Sequence, residues 1–225
     1  HDISELQSLV ESNRVDGMLL TRALEDDRAL QYLSQVNFPT ALTGTCRYDN
    51  IIQVDTDNEG AAEKMTTLLI GKGFRRFAFL VKNMSYNVDR KRHEGFCRAL
   101  IKNGISEKDQ LFYNGSIRME FLDAIIENII SKKVECIICG DDEICTMVMS
   151  RLQAEGYRIP KDVAIASLYN STNLDCYSPA VTAVSVAASQ MGGAAVRQLI
   201  QRLRGENYEK KTMLDYDILF RKSTN

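Results

Sequence analysis

The strongest constraint on this chain is a rhythm. Short apolar, β-rich runs alternate with longer segments of helical period almost from end to end. Such alternation is characteristic of stacked β-α-β units built on a parallel sheet. The runs Val15–Leu20, Phe38–Thr43, Ile51–Val54, Arg76–Val81, Gln110–Tyr113, Val134–Cys139, Val163–Leu168, Val181–Val186 and Met213–Phe220 are expected strands. Helices are expected over about 3–13, 26–36, 57–71, 89–103, 119–131, 142–155 and 189–204. Asp57 is placed to cap one of them and Gly73 to end it. So many strands exceed one sheet of ordinary width, which makes two sheets in two lobes the economical reading.

Composition excludes several classes. No apolar run approaches the roughly 20 residues of a membrane span, and the N-terminus carries no basic and apolar leader, so the expected location is the cytoplasm. Lys and Arg number 28 against 30 Asp and Glu, which leaves no basic excess to neutralise phosphates. The chain is therefore not expected to bind DNA by itself. Cys46, Cys97, Cys136, Cys139, Cys145 and Cys176 are read as reduced, buried thiols. Cys136 and Cys139 lie three apart on an expected strand, where they face opposite sides and do not share a metal. With 2 histidines, one of them His1, no metal or other cofactor is expected. No dinucleotide, P-loop or nucleophile-elbow motif occurs, and His93, Cys97 and Cys145 all lie on expected helices without an orienting group. The chain is read as a non-enzyme.

In an open parallel sheet the strand-to-helix loops gather at the carboxyl edge and ligands bind there. Those loops carry Thr21, Arg22, Thr43–Arg47, Lys82–Asn87, Asn114–Arg118 with Ser116, Asp141, Asp142, and Tyr169–Ser171. Hydroxyls, carboxylates, guanidinium groups and tyrosines suit a small polar ligand such as a sugar.

Several segments carry a family resemblance in the right order. Val15-Asp16-Gly17-Met18-Leu19-Leu20, Val54-Asp55-Thr56-Asp57-Asn58-Glu59-Gly60 and Gly71-Lys72-Gly73-Phe74-Arg75-Arg76 come first. Arg92-His93-Glu94-Gly95-Phe96, Gly156 through Pro160 to Val163, Pro179-Ala180-Val181-Thr182-Ala183-Val184 and Leu219 to Thr224 follow. Together they resemble the lac-repressor (LacI/GalR) family of bacterial transcription regulators over essentially the whole chain. The resemblance implies an α/β, periplasmic-binding-protein-like fold: two lobes, each a mostly parallel sheet flanked by helices, joined by three crossovers. It implies residues 1–55 plus 185–212 in an N-terminal lobe and 56–184 plus 213–225 in a C-terminal lobe. The family's first strand-helix-strand and its helix-turn-helix headpiece have no counterpart here, so the chain is expected to begin partway into the first lobe.

The implied function is effector sensing. A sugar or sugar derivative held between the lobes modulates DNA binding through the absent headpiece, in a homodimer. The competing expectation is an extracytoplasmic solute-binding protein of a transporter. Arg92 matches the family's effector-clamping arginine, whose planar fork suits bidentate recognition. Asp141 is assigned to the ligand and Asp142 to the helix cap. Tyr169 and Asn170 stand where the family has an acidic pair, so a phenol replaces the carboxylate that grips sugar hydroxyls. Thr21, Arg22, Ser85, Tyr86 and Ser116 are placed by position on the ligand loops. Asp57 and Asn58 are read as cap and hinge residues, and His93, Met147 and Met149 as structural. Thr146 and Tyr177 are expected in the dimer interface.

Overall fold

The computed structural model describes residues 2–115 and 119–225. Contacts divide the chain into two units. One comprises the stretch ending at Asp57 together with Ser85–Val88 and Ala187–Asp215, and the other comprises Asn58–Met84, Asp89–Val186 and Tyr216–Asn225.

The first unit carries α1 (Ser4–Glu11), β1 (Met18–Leu20), α2 (Arg28–Gln35), β2 (Thr40–Thr43) and β3 (Ile52–Thr56). Its strands form a fully parallel sheet in the order β1-β2-β3-β9, completed late in the chain by β9 (Lys211–Leu214). Adjacent residues of a strand point to opposite faces. Ala41, Ile52 and Val54 accordingly pack with Ala194, Ala195 and Leu199, which belong to the late helix Ala188–Leu203, while Leu42 and Ile51 pack with Leu30. Asp27 caps α2, its carboxylate accepting from the amides of Ala29 and Leu30 at 2.9 and 3.1 Å.

The second unit carries α3 (Asn58–Gly71), β4 (Phe77–Val81), α4 (from Asn87, in the first unit, to Lys102), β5 (Leu111–Asn114), α5 (Met119–Ser131) and β6 (Cys136–Cys139). It continues with α6 (Asp142–Ala154), β7 (Ala164–Ser167), α7 (Thr172–Cys176) and β8 (Thr182–Val186), and closes with β10 (Tyr216–Leu219); the Ala188–Leu203 helix of the first unit is α8. The sheet order is β10-β8-β7-β6-β4-β5, parallel throughout except for β10, which runs antiparallel to β8. Along β4 the side chains alternate between two cores: Phe77, Phe79 and Val81 meet α3 and α4, and Ala78 and Leu80 meet α5 and α6. Cys136 and Cys139 divide between the same two cores, as their spacing on a strand requires. Near the C-terminus Ser223 Oγ accepts from the Thr182 amide at 2.8 Å and donates to the Ile165 carbonyl at 2.6 Å, which pins the terminal segment to β7 and β8.

Three expectations need correction. The single strand expected over 213–220 is two strands in different sheets, because Lys211–Leu214 pairs in parallel with β3 and Tyr216–Leu219 pairs antiparallel with β8. Asp215 is where the chain leaves one sheet for the other. The short α7 was not expected at all, since five residues give too little period to read. The thiols are free but not uniformly buried: Cys136, Cys139 and Cys145 are enclosed, Cys46 and Cys97 are half-buried, and Cys176 on α7 is exposed.

Candidate functional site

Strand order decides where a site can form. β4 is the first strand of the six-stranded sheet in sequence, yet β5 lies on one side of it and β6 on the other. The loops leaving β4 and β6 therefore diverge at this point, a topological switch of the kind at which open α/β sheets bind ligands. Gly140 donates its amide to the Leu80 carbonyl at 2.7 Å, and Met84 donates its amide to Asn114 Oδ1 at 3.0 Å, so the ends of β4, β5 and β6 are tied together.

Arg92 lies at this switch. It sits one helical turn before Phe96 on α4, on the face that α4 turns toward the core, and it is only 7% exposed. A buried guanidinium requires hydrogen-bond partners. Nη1 donates to the Gly140 carbonyl at 2.6 Å and Nε donates to Asn58 Oδ1 at 3.1 Å. Close packing makes this reach possible. A Cβ at Gly140 would stand 2.9 Å from Val81 Cγ1, and one at Gly95 would stand 2.1 Å from the Glu59 carbonyl oxygen, so α4 lies directly on α3.

Around Arg92 stands a set of charges. Lys82, just past β4, pairs with Asp141 at 2.9 Å and with Glu143. Burial opposes the ammonium charge of Lys82, but the two carboxylates outweigh it and raise its pKa. Asp89 is buried, and burial pushes its carboxyl above the ordinary aspartate value although the Asn83 amide donates to Oδ2 at 3.0 Å and the Arg92 charge lies nearby. The helix cap expected at Asp142 is formed by Asp141 instead. Asp141 is the N-cap of α6, its Oδ1 accepting from the Ile144 amide at 2.9 Å, and Asp142 is the first helical residue. The extended backbone of Asp141, at φ −143° and ψ 176°, is what lets its carboxylate turn back onto the helix end.

Arg22, Ser85 and Tyr86 come together in the first unit, with Thr21 next to Arg22 in the chain. Ser85 accepts from the Glu25 amide at 2.9 Å, Tyr86 bridges Leu24, and Asn87 donates its amide to the Ala23 carbonyl at 3.1 Å. The segment Ser85–Val88 thus lies alongside the loop that follows β1. Arg22 stands 5.5 Å above the Tyr86 ring, a cation–π arrangement, and Thr21 and Ser85 are exposed.

Tyr169 and Asn170 follow β7. Ser167 Oγ donates to the Tyr169 carbonyl at 2.6 Å, and Asn170 Oδ1 accepts from Arg221 Nη1 at 2.9 Å, so Asn170 is held from the C-terminal segment. Thr146 and Tyr177 are brought together within the unit: the Tyr177 hydroxyl lies 3.3 Å from the Thr146 carbonyl and 3.0 Å from Ser150 Oγ. Ser116 lies outside the described residues.

From sequence, Lys82 stands on a candidate ligand loop without a named role and Asn58 is read as a cap or hinge residue, while Asp89 and Glu143 have no site assignment. The one available signal was their position: Lys82 and Asn58 each follow a strand within two residues. Among the described residues no group of His, Cys, Asp and Glu could hold a metal ion, and no helix is long and apolar enough to cross a membrane.

Comparison with known proteins adds a family. Residues 66–224 match the model of the periplasmic binding protein-like domain. The HTH-type transcriptional regulator CelR of Thermobifida fusca is 26% identical over 215 residues, covering 93% of this chain and 63% of that protein. Catabolite control protein A of Staphylococcus xylosus is 24% identical, covering 95% of this chain and 65% of its own length. The chain thus spans under two thirds of these curated relatives. Among solved structures, a protein from Bacillus cereus subsp. cytotoxis NVH 391-98 assigned as a LacI transcriptional regulator superposes with a TM-score of 0.89 at 29% identity, over 97% of this chain and 79% of that one. A complex of the regulator CelR with cellobiose superposes at 0.85 and 26% identity, over 97% and 69%.

Proposed function

The chain belongs to the periplasmic binding protein-like domain family, in the line of the lac-repressor-type regulators, and from that premise we propose that it is the effector-sensing part of a bacterial transcription regulator. The observation that carries the reading is Arg92, a buried guanidinium at the topological switch of the six-stranded sheet, surrounded by Asn58, Lys82, Asp89 and Asp141. An arrangement of fixed donors and acceptors around a planar fork recognises hydroxyl-rich, polar molecules. The effector class that fits is a sugar or sugar derivative, and cellobiose, found in the CelR complex, is the first compound to test. Ligand contacts are assigned to Arg92, Asp141, Tyr169, Asn170, Thr21, Arg22, Ser85 and Tyr86.

The mechanism is a shift in population. A ligand that favours one conformation stabilises it by its differential affinity, and a regulator reads that shift as changed affinity for operator DNA. Residues 1–55 with 185–212 and 56–184 with 213–225 serve as the two moving lobes, and a homodimer contacting through the surface near Thr146 and Tyr177 transmits the change. A regulator of transcription works in the cytoplasm, and the reading assigns it no catalysis. A thermal-shift screen of sugars, sugar phosphates and nucleosides tests it. A saturable rise in Tm with a sugar supports the reading, and the absence of any shift across the panel removes it.

A further inference from the structure

The amino edge of the six-stranded sheet, opposite the Arg92 cluster, is concave. A groove of about 490 Å³ runs past the starts of β4, β6 and β7, lined by Phe74, Ile130, Val134 and Pro160 and rimmed by Lys72, Arg76, Lys133, Lys161, Glu135 and Asp162. Its volume lies within the range of sites that take small ligands or anchoring side chains, ~300–1,000 Å³.

The rim is not electrically balanced. Both carboxylates are already engaged: Glu135 accepts from the amides of Arg75 and Arg76 at 2.6 and 3.1 Å and pairs with Arg76, and Asp162 accepts the guanidinium and amide of Arg158. Arg75 and Arg76 spend further donors on main-chain carbonyls, Arg75 on Ile70 at the end of α3 and Arg76 on Lys133 just past α5. Lys133 forms no ion pair among the described residues, and Lys161 is exposed, forms no close ion pair there, and lies near the Asp162 carboxylate that Arg158 already holds. A chain of net charge −2 therefore sets four cations, Lys72, Arg76, Lys133 and Lys161, against two already paired carboxylates around one apolar trough, with Lys72 also donating to the Thr224 carbonyl at 3.3 Å. Helix C-termini attract lysines, which accounts for Lys72 and Lys133 singly. It does not account for Lys161, which follows no helix, or for the apolar floor between them.

We infer that this groove docks an acidic peptide segment of a partner protein, an apolar side chain entering the Phe74–Ile130–Pro160 floor while flanking Asp and Glu residues meet Lys133 and Lys161. Charge complementarity selects the partner and apolar burial holds it.

Fluorescence anisotropy of the 225-residue chain with a fluorescein-labelled acidic peptide, Asp and Glu residues flanking a central Phe-Leu pair, tests this. The double variant Lys133→Glu/Lys161→Glu should weaken binding by about tenfold or more, since both substituted positions are exposed and their repulsion acts directly on the peptide. Lys210→Glu, in the other unit, should leave binding unchanged, and unaltered unfolding curves should accompany both variants. Replacing Phe-Leu by Ser-Ser in the peptide should cost about tenfold as well, because the apolar contribution is lost. No binding of the acidic peptide, equal affinity for the double variant, indifference to the Ser-Ser change, or displacement by a DNA duplex as effective as by unlabelled peptide would each overturn the assignment.

Discussion

Arg92 and Gly140 stand 48 residues apart in sequence and are joined by a 2.6 Å hydrogen bond from Nη1 to the carbonyl oxygen. The bond ties the second turn of α4 to the end of β6 across the switch point, where a Cβ at Gly140 would stand 2.9 Å from Val81 Cγ1. For the effector proposed to bind there, the Arg92 guanidinium is already held in place, so little side-chain entropy would remain to be lost on binding.

The contact between α3 and α4 depends on Gly95. A Cβ at this position meets the Glu59 carbonyl oxygen and the Ala62 Cβ, at 2.1 and 3.0 Å. Gly95→Ala gains helix propensity of about 1 kcal/mol but forces the helices apart, and overpacking costs typically 1–3 kcal/mol, more where backbone must move. The net expectation is a clear fall in the urea midpoint. Gly192 in α8 has open space around its Cα, so Gly192→Ala should raise the midpoint by about 0.5–1 kcal/mol of stability.

The two aspartates at the start of α6 should separate cleanly. Asp141→Ala removes the cap on the Ile144 amide, a loss of about 0.5–2 kcal/mol, together with a partly exposed ion pair to Lys82 that adds little. Asp142→Ala removes a first-turn carboxylate but no cap hydrogen bond, and should cost about 0.3–1 kcal/mol at most. Equal effects of the two substitutions would place the cap elsewhere.

His93 packs against Phe112 with ring centroids 4.3 Å apart and near Phe79 at 5.6 Å, and burial lowers its pKa from the usual 6.5. The folded state thus holds the neutral ring more firmly than the unfolded chain does. Its contribution is intact above about pH 6.5 and is lost as pH falls through the lowered folded value. Wild-type stability should drop between pH 7.5 and 5.5 by more than that of His93→Leu, measured by chemical unfolding at both values. Parallel pH profiles would remove His93 as a cause.

The fold class was legible because it rests on local periods. The apolar runs that became β6 and β7 are buried on both faces and read directly as interior parallel strands. The split at Asp215 was not legible, since Lys211–Leu214 and Tyr216–Leu219 read as one β-rich run and only their partners, β3 and β8, tell them apart. The Arg92 cluster shows the same division. Arg92 and Asp141 stood out through resemblance and loop position, whereas the roles of Lys82, Asp89 and Asn58 depend on β4 lying beside β6, a long-range neighbourhood that no local pattern encodes. The cap at Asp141 turns on backbone angles, and a pair of adjacent aspartates offers no sequence basis for choosing between them.

The central claim is that Arg92 holds an effector, and the most direct measurement is the Tm shift produced by a saturating sugar ligand in wild type, Arg92→Lys and Arg92→Ala. A ligand at a hundredfold excess over its Kd stabilises the fold by about 2.7 kcal/mol. Arg92→Lys keeps a buried cation but loses the planar fork, so a folded protein with a largely abolished ligand shift is expected, and Arg92→Ala should show the same loss from a lower starting Tm. A ligand shift in folded Arg92→Lys equal to that of wild type would contradict the account.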